Sequence, residues 1–119
     1  MVARMEDIVA RARALGELID GSVIERERKL PTTVVEALIA AGVFKLCVPR
    51  IYGGAQASPL TAIAVLEELG KHDGSVAWCA MVGITSSLMS VYLDDSVARE
   101  IYSPADTITC GVFAPKGRS

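Results

Sequence analysis

Residues 74–93, GSVAWCAMVGITSSLMSVYL, run for twenty positions without a charged side chain and are bracketed by Asp73 and Asp94. At about 100° per residue the stretch sorts into two faces. Val76, Cys79, Ala80, Gly83, Ser86, Ser87 and Ser90 share one side, all small or β-branched; Trp78, Met81, Val82, Leu88, Met89 and Tyr92 spread over the other. Small side chains let another backbone approach closely, whereas bulky ones fill a core or wall a pocket. Asp73, followed by Gly74 and Ser75, is placed to cap the N-terminus, and Asp94 and Asp95 mark the exit and the start of the next element. The length suffices for a membrane span. Five Ser and Thr hydroxyls and two glycines argue against one, because insertion rewards Leu, Ile and Phe. The pattern predicts a helix buried on all sides at the centre of a soluble domain.

The remaining composition fits that frame. At 119 residues the chain is one domain or part of one. With 51% apolar and only 22% charged residues, part of its apolar surface is expected to meet another domain or subunit. A net charge of −2 gives no electrostatic footprint for nucleic acid or anionic membrane. The N-terminal segment is amphipathic and carries Glu6 and Asp7, unlike a signal peptide. Cys47, Cys79 and Cys110 form no Cys-x-x-Cys pair and suit a reducing cytosol as buried thiols. With His72 the sole histidine, a zinc site of ordinary spacing is not expected.

Met5, Ile8, Val9, Ala12, Leu15, Leu18 and Ile19 recur every three or four residues, which predicts an amphipathic first helix. Asp20-Gly21-Ser22 could end it; continuation through Val23 and Ile24 into the charged run 25–29 is favoured. Pro31 opens a second helix with a stripe of Val34, Val35, Leu38 and Ile39, stopped by a left-handed Gly42. Residues 43–48 read as extended, and Pro49 with Gly53-Gly54 makes a turn. Ser58-Pro59 starts a third helix whose pattern is Leu60, Ile63, Ala64, Val65, Leu66 and Leu69, with Glu67 and Glu68 outward. A short helix over 96–102 follows the central one. Residues 106–114 (DTITCGVFA) change to a period of two and predict a strand. A lone strand leaves its backbone groups without partners, so the chain reads as the front of a longer protein.

No local catalytic motif is present in the sequence. The sequence holds no phosphate-cradling glycine loop, no His-Glu-x-x-His and no assembly resembling a Ser-His-Asp triad. Glu67 and Glu68 diverge on a helix and cannot act as a facing pair.

The order of features goes further. Leu30-Pro31, Leu38 and Gly42, Pro49-x-x-Tyr52-Gly53-Gly54, Glu67-Glu68-Leu69-Gly70, the long uncharged helix and a strand ending Ala114-Pro115 occur in sequence. Together they resemble the N-terminal helical domain of the acyl-CoA dehydrogenase superfamily. The wording Gly74-Ser75-Val76-Ala77-Trp78 and Phe113-Ala114-Pro115-Lys116-Gly117 is most similar to the branch of flavin-dependent aromatic monooxygenases. Classical dehydrogenases usually carry Thr-Glu-Pro where this chain has Phe113-Ala114-Pro115.

The resemblance implies an all-α, up-and-down bundle of about five helices over residues 1–105, then one β-strand over 106–119 from a middle β-domain. It implies a cytoplasmic oxidoreductase with FAD or FMN, a small acyl-CoA or aromatic substrate, further flavoprotein domains, a homotetramer and, for the hydroxylases, a separate flavin reductase. Trp78, Met81, Val82 and Thr85 match the wall of the substrate pocket; Cys110, Val112, Phe113 and Ser119 match positions beside the flavin ring. No catalytic residue and no metal ligand is implied within this chain. The family's catalytic base comes from elsewhere, so 119 residues alone are expected to be inactive. A different class also fits the composition: a non-catalytic helical module pairing through its apolar surface.

Overall fold

The structure, a computed structural model, describes residues 4–112, 114, 116 and 117. Among these residues six α-helices are joined by short loops and 3-10 turns, and no strand is formed. The helices are α1 (Met5–Ala14), α2 (Gly21–Glu27), α3 (Thr32–Ala40), α4 (Pro59–Gly70), α5 (Gly74–Ser87) and α6 (Asp95–Tyr102). The fold is the all-α bundle expected, with α4 packed between α1 and α5. The chain fills about 41 × 40 × 23 Å. The short dimension is two helix diameters, since a helix with its side chains is about 10–12 Å across. In so thin a slab every helix keeps an outer face.

The core gathers one stripe from each main helix. Ile8 and Ala12 of α1, Val34 and Leu38 of α3, Val65 and Leu69 of α4, and Val76, Ala80 and Ile84 of α5 are buried together with Phe44 and Leu46. Local chemistry sets the ends. Ser58 accepts a hydrogen bond from the Thr61 amide (3.2 Å) with Pro59 in the first turn of α4. Asp73 accepts from the amides of Ser75 (2.7 Å) and Val76 (3.2 Å) at the start of α5. Such caps satisfy amides that have no partner inside the helix. Gly42 (φ 76°) and Gly53 (φ 87°) occupy the left-handed region, where a side chain is strained.

Several sequence expectations need correction. The first helix does not continue through Gly21. After Ala14 it tightens into a 3-10 turn (Leu15–Leu18), breaks at an extended Ile19, and restarts with Asp20 as cap. The Asp20 carboxylate accepts from both the amide (3.0 Å) and the hydroxyl (2.6 Å) of Ser22, and this local bonding competes with helix continuation. Residues 43–48 are not extended: Val43–Lys45 is a 3-10 turn that drives Phe44 inward. On α4 the buried set is Thr61, Ala62, Val65, Glu68 and Leu69, while Leu60 and Ile63 are exposed.

Helix α5 is not buried all round either. Its small face packs on α4 and on the Val43–Lys45 turn, and its bulky face looks outward. The apolar helical run Gly74–Tyr92 is long enough to cross a membrane by length and composition, and a third of it is buried against the rest of the chain. The strand expected over 106–119 is not formed by the described residues. The backbone of residues 108–112 makes no hydrogen bond among them, because no second strand is at hand to supply partners.

Candidate functional site

Two features converge on the outer side of α5. The first is its bulky stripe. Trp78, Met81, Val82 and Thr85 follow the i, i+3, i+4, i+7 spacing of one helix face. Trp78 is 67% exposed, Met81 and Val82 are half-buried, and Thr85 is exposed. The Thr85 hydroxyl donates back to the Met81 carbonyl (2.8 Å), which leaves the face without a free polar donor at that position. The stripe extends through the 3-10 turn Leu88–Tyr92, where Leu88, Met89, Val91 and Tyr92 are also exposed.

The inward side explains why the bulky groups point out. The Phe44 ring lies over Gly83, and Val76, Ala80 and Ser87 are almost inaccessible to solvent. Close approach to α4 requires small residues there, so the large ones have only the outer face.

The second feature is the segment after α6. It passes α5 at Ser86, whose hydroxyl lies 3.4 Å from where a Cβ on Gly111 would stand. Ser86 is one turn from Val82, so this segment borders the stripe. Cys110 and Val112 are exposed, Val112 at 87%; Phe113 and Ser119 lie outside the described residues. The Thr109 hydroxyl is buried and has no hydrogen-bond partner among the described residues. Four pocket residues expected from the sequence therefore share one face, with two of the four flavin-side residues on the neighbouring segment. They form an open wall. A cleft of about 630 Å³ lies elsewhere, between α2 and the start of α5, past Ile24, Arg28, Leu30, Asp73 and Cys79.

Three polar clusters escaped the sequence reading. Glu68 of α4 faces inward with its side chain only 9% exposed. Arg13 of α1 donates to both its oxygens (3.2 and 3.1 Å) and Lys71 to one (2.9 Å). The Arg13 hydrogen bonds, followed by that from Lys71, hold its carboxyl at about 2, well below the usual carboxylate range. Glu68 and Lys71 stand at a readable i, i+3 spacing, but no signal in the sequence ties Arg13 to them.

The Tyr-Gly-Gly turn is anchored to α6. Tyr52 donates to Asp95 (3.1 Å), Arg99 donates to the other Asp95 oxygen (2.8 Å), and the Arg99 guanidinium sits 5.6 Å from the centre of the Tyr52 ring. Finally, Lys45 reaches the carbonyls that end α6. The cysteines also differ from expectation: only Cys47 is half-buried, and Cys79 and Cys110 are exposed free thiols. Among the described residues no three His, Cys, Asp or Glu side chains gather as a metal site would require.

Comparison with known proteins agrees with this architecture. Residues 9–98 match the N-terminal domain of acyl-CoA dehydrogenases. Over 96% of this chain it is 31% identical to indole-3-acetate monooxygenase of Pseudomonas putida, covering 28% of that protein. It is 43% identical over 59% of its length to dibenzothiophene monooxygenase of Rhodococcus erythropolis, covering 17% of it. It is 38% identical over 54% of its length to a probable acyl-CoA dehydrogenase of Mycobacterium tuberculosis, covering 10% of it. The chain belongs to the acyl-CoA dehydrogenase family. It spans less than a third of the length of these relatives.

Proposed function

We propose that this chain is the helical wall of a flavin-dependent monooxygenase acting on a small aromatic substrate. The single observation that carries the reading is the sorting of α5: small residues pack inward, and Trp78, Met81, Val82 and Thr85 present a continuous apolar face outward. A flat, uncharged ring system is the ligand such a face suits, by burial of apolar area and stacking on Trp78. The choice of hydroxylation over acyl-CoA dehydrogenation is supported by the named activities of the relatives that match most of the chain.

The residues beside α5 fit a flavin as one wall of its site. Cys110 and Val112, with Phe113 and Ser119, would border the ring, and the backbone of 108–112, which makes no hydrogen bond among the described residues, offers polar groups there. When bound, the flavin, FMN or FAD, supplies the redox chemistry and the activation of oxygen. The chain itself orients the substrate and excludes water along α5. The surrounding assembly in this reading is a cytoplasmic homotetramer fed by a separate reductase, with 106–119 opening the next domain. A wall on its own encloses nothing, so the 119 residues alone turn over no substrate.

Trp78 is the only tryptophan of these 119 residues, so in the full-length protein its fluorescence is read as the difference between the parent and Trp78→Phe. Indole-3-acetate cannot be used as the titrant because it fluoresces like the reporter; a non-indole aromatic acid and FMN or FAD are titrated into the full-length protein. Saturable quenching, together with oxygen incorporation into the aromatic acid when reduced flavin is supplied, is expected. An unresponsive Trp78 and no oxygenated product would sink the reading; turnover of an acyl-CoA instead would replace it with dehydrogenation.

A further inference from the structure

Lys45 stands in the 3-10 turn next to Phe44, far in sequence from the end of α6, yet its side chain spans the two. Its ammonium donates to the carbonyls of Tyr102 (2.5 Å), Ser103 (3.4 Å) and Pro104. An ammonium has three protons to donate and no acceptor, so these three oxygens use its full capacity. The Tyr102 oxygen belongs to the last turn of α6, the Ser103 oxygen to its C-cap and the Pro104 oxygen to the residue just beyond, at the helix end where carbonyls lack intrahelical partners and the dipole is negative, a position a cation stabilises.

The backbone of the same residue is engaged as well. The Lys45 carbonyl accepts from the amides of Val48 and Ala55, and its amide donates to Gly42. Lys45 is thus fixed to the core turn at one end and to the exit of α6 at the other. Beyond Pro104, among the described residues, the segment is held near α6 by the Thr107 hydroxyl donating to Ile101 (2.7 Å) and the Thr107 amide donating to the Pro104 carbonyl (3.3 Å).

We propose that Lys45 is a positioning residue that sets the direction in which residues 105–112 leave the helical domain and so places them beside the outer face of α5. The functional meaning of that placement rests on the reading of 106–112 as the flavin-side segment; the mechanical claim does not. Without the ammonium, three carbonyls at the end of α6 lose their common partner. The segment then keeps the Thr107 hydrogen bonds and the approach of Gly111 to Ser86, and its exit at Ser103 and Pro104 is free to pivot.

Spin labels on the two exposed native thiols, Cys79 on α5 and Cys110 on the segment, read this directly. Cys47 is half-buried and its thiol is pushed up by burial, so it labels poorly and is replaced by alanine. In the 119-residue protein the interspin distance distribution measured by double electron–electron resonance is expected to be narrow. Lys45→Met is expected to broaden it beyond its own width with the circular dichroism of the helices unchanged. Lys71→Met removes a lysine that pairs elsewhere and is expected to leave the distribution narrow. A narrow, unshifted distribution in Lys45→Met overturns the proposal, as does equal broadening in Lys71→Met. Should Lys45→Met not fold, Lys45→Gln is read by the same two criteria. Flavin titration of the unlabelled protein is a separate measurement, so loss of the cofactor reading leaves this test intact.

Discussion

The ring of Phe44 lies over Gly83 so closely that the first carbon of any side chain at Gly83 would overlap its Cδ1. This contact joins the 3-10 turn after α3 to the middle of α5 and fixes which way α5 faces. Alanine at position 83 would gain about 1 kcal/mol of helix propensity but force the ring from a well-packed site, at about 1–3 kcal/mol. Gly83→Ala is therefore expected to lower the unfolding free energy by up to about 2 kcal/mol, net of both effects. Urea denaturation measures it. In a Phe44→Leu background the same change should cost less, giving a coupling between the two sites. A Gly83→Ala protein more stable than the parent would show that the ring is free to move.

Glu68 makes acid stability the second expectation. Its carboxyl is held at about 2 against an ordinary 4.5. A group whose folded pKa is depressed binds fewer protons when folded, so its contribution is complete above about 4.5 and is lost as the pH falls toward about 2. Asp20 and Asp95 are lowered too, so acid unfolding of the parent alone does not isolate Glu68. The difference between the parent and Glu68→Gln does. Glu68→Gln should be the less stable at neutral pH, with the gap closing between pH 4.5 and 2. A gap independent of pH would mean that the ion pairs with Arg13 and Lys71 contribute nothing.

At the start of α5, the Asp73 carboxylate serves two amides. Asp73→Ala is expected to cost about 1 kcal/mol, the usual loss for an N-cap, and Asp73→Ser or Asp73→Asn to recover most of it. Thermal melts followed by circular dichroism provide the measurement; recovery by neither variant would place the effect in the neighbouring Gly21 contact instead of the cap.

What was legible in the sequence follows from how local each signal is. Caps at Ser58 and Asp73, the left-handed Gly42 and the two faces of α5 depend on residues within a turn of each other, and each stands where the pattern placed it except Cys79, which was grouped with the small face and is exposed. The inward Glu68 does not, because a carboxylate is turned to the core only when a partner from a distant helix, here Arg13, offsets its desolvation. With Glu68 turned inward, Leu60 and Ile63 of the same helix stand in solvent, against their hydropathy. The break before Asp20 was hidden because Gly21 permits either reading, and the Ser22 bonds to Asp20 settle it. For the site, periodicity sorted the bulky residues correctly but could not say that they face outward; that depends on the slab being two helices thick. The period-two pattern after residue 106 describes side chains that alternate, while a strand also needs a partner that the described residues do not supply.

Trp78 carries the last expectation, which separates a wall from a core. A tryptophan packed in an interior loses about 3–5 kcal/mol on truncation to alanine, whereas a surface substitution typically stays within about 0.5 kcal/mol. With 67% of its surface exposed, Trp78→Ala should fall in the second class in the 119-residue chain. In the full-length protein the same substitution should weaken binding of an aromatic acid by roughly tenfold or more, the loss of one stacked aromatic contact of about 0.5–1.5 kcal/mol plus its buried area. Urea unfolding and ligand titration by calorimetry supply the two numbers. A large stability loss with unchanged affinity would make Trp78 a structural residue whose partner surface is protein, and would favour the helical interaction module over the substrate wall.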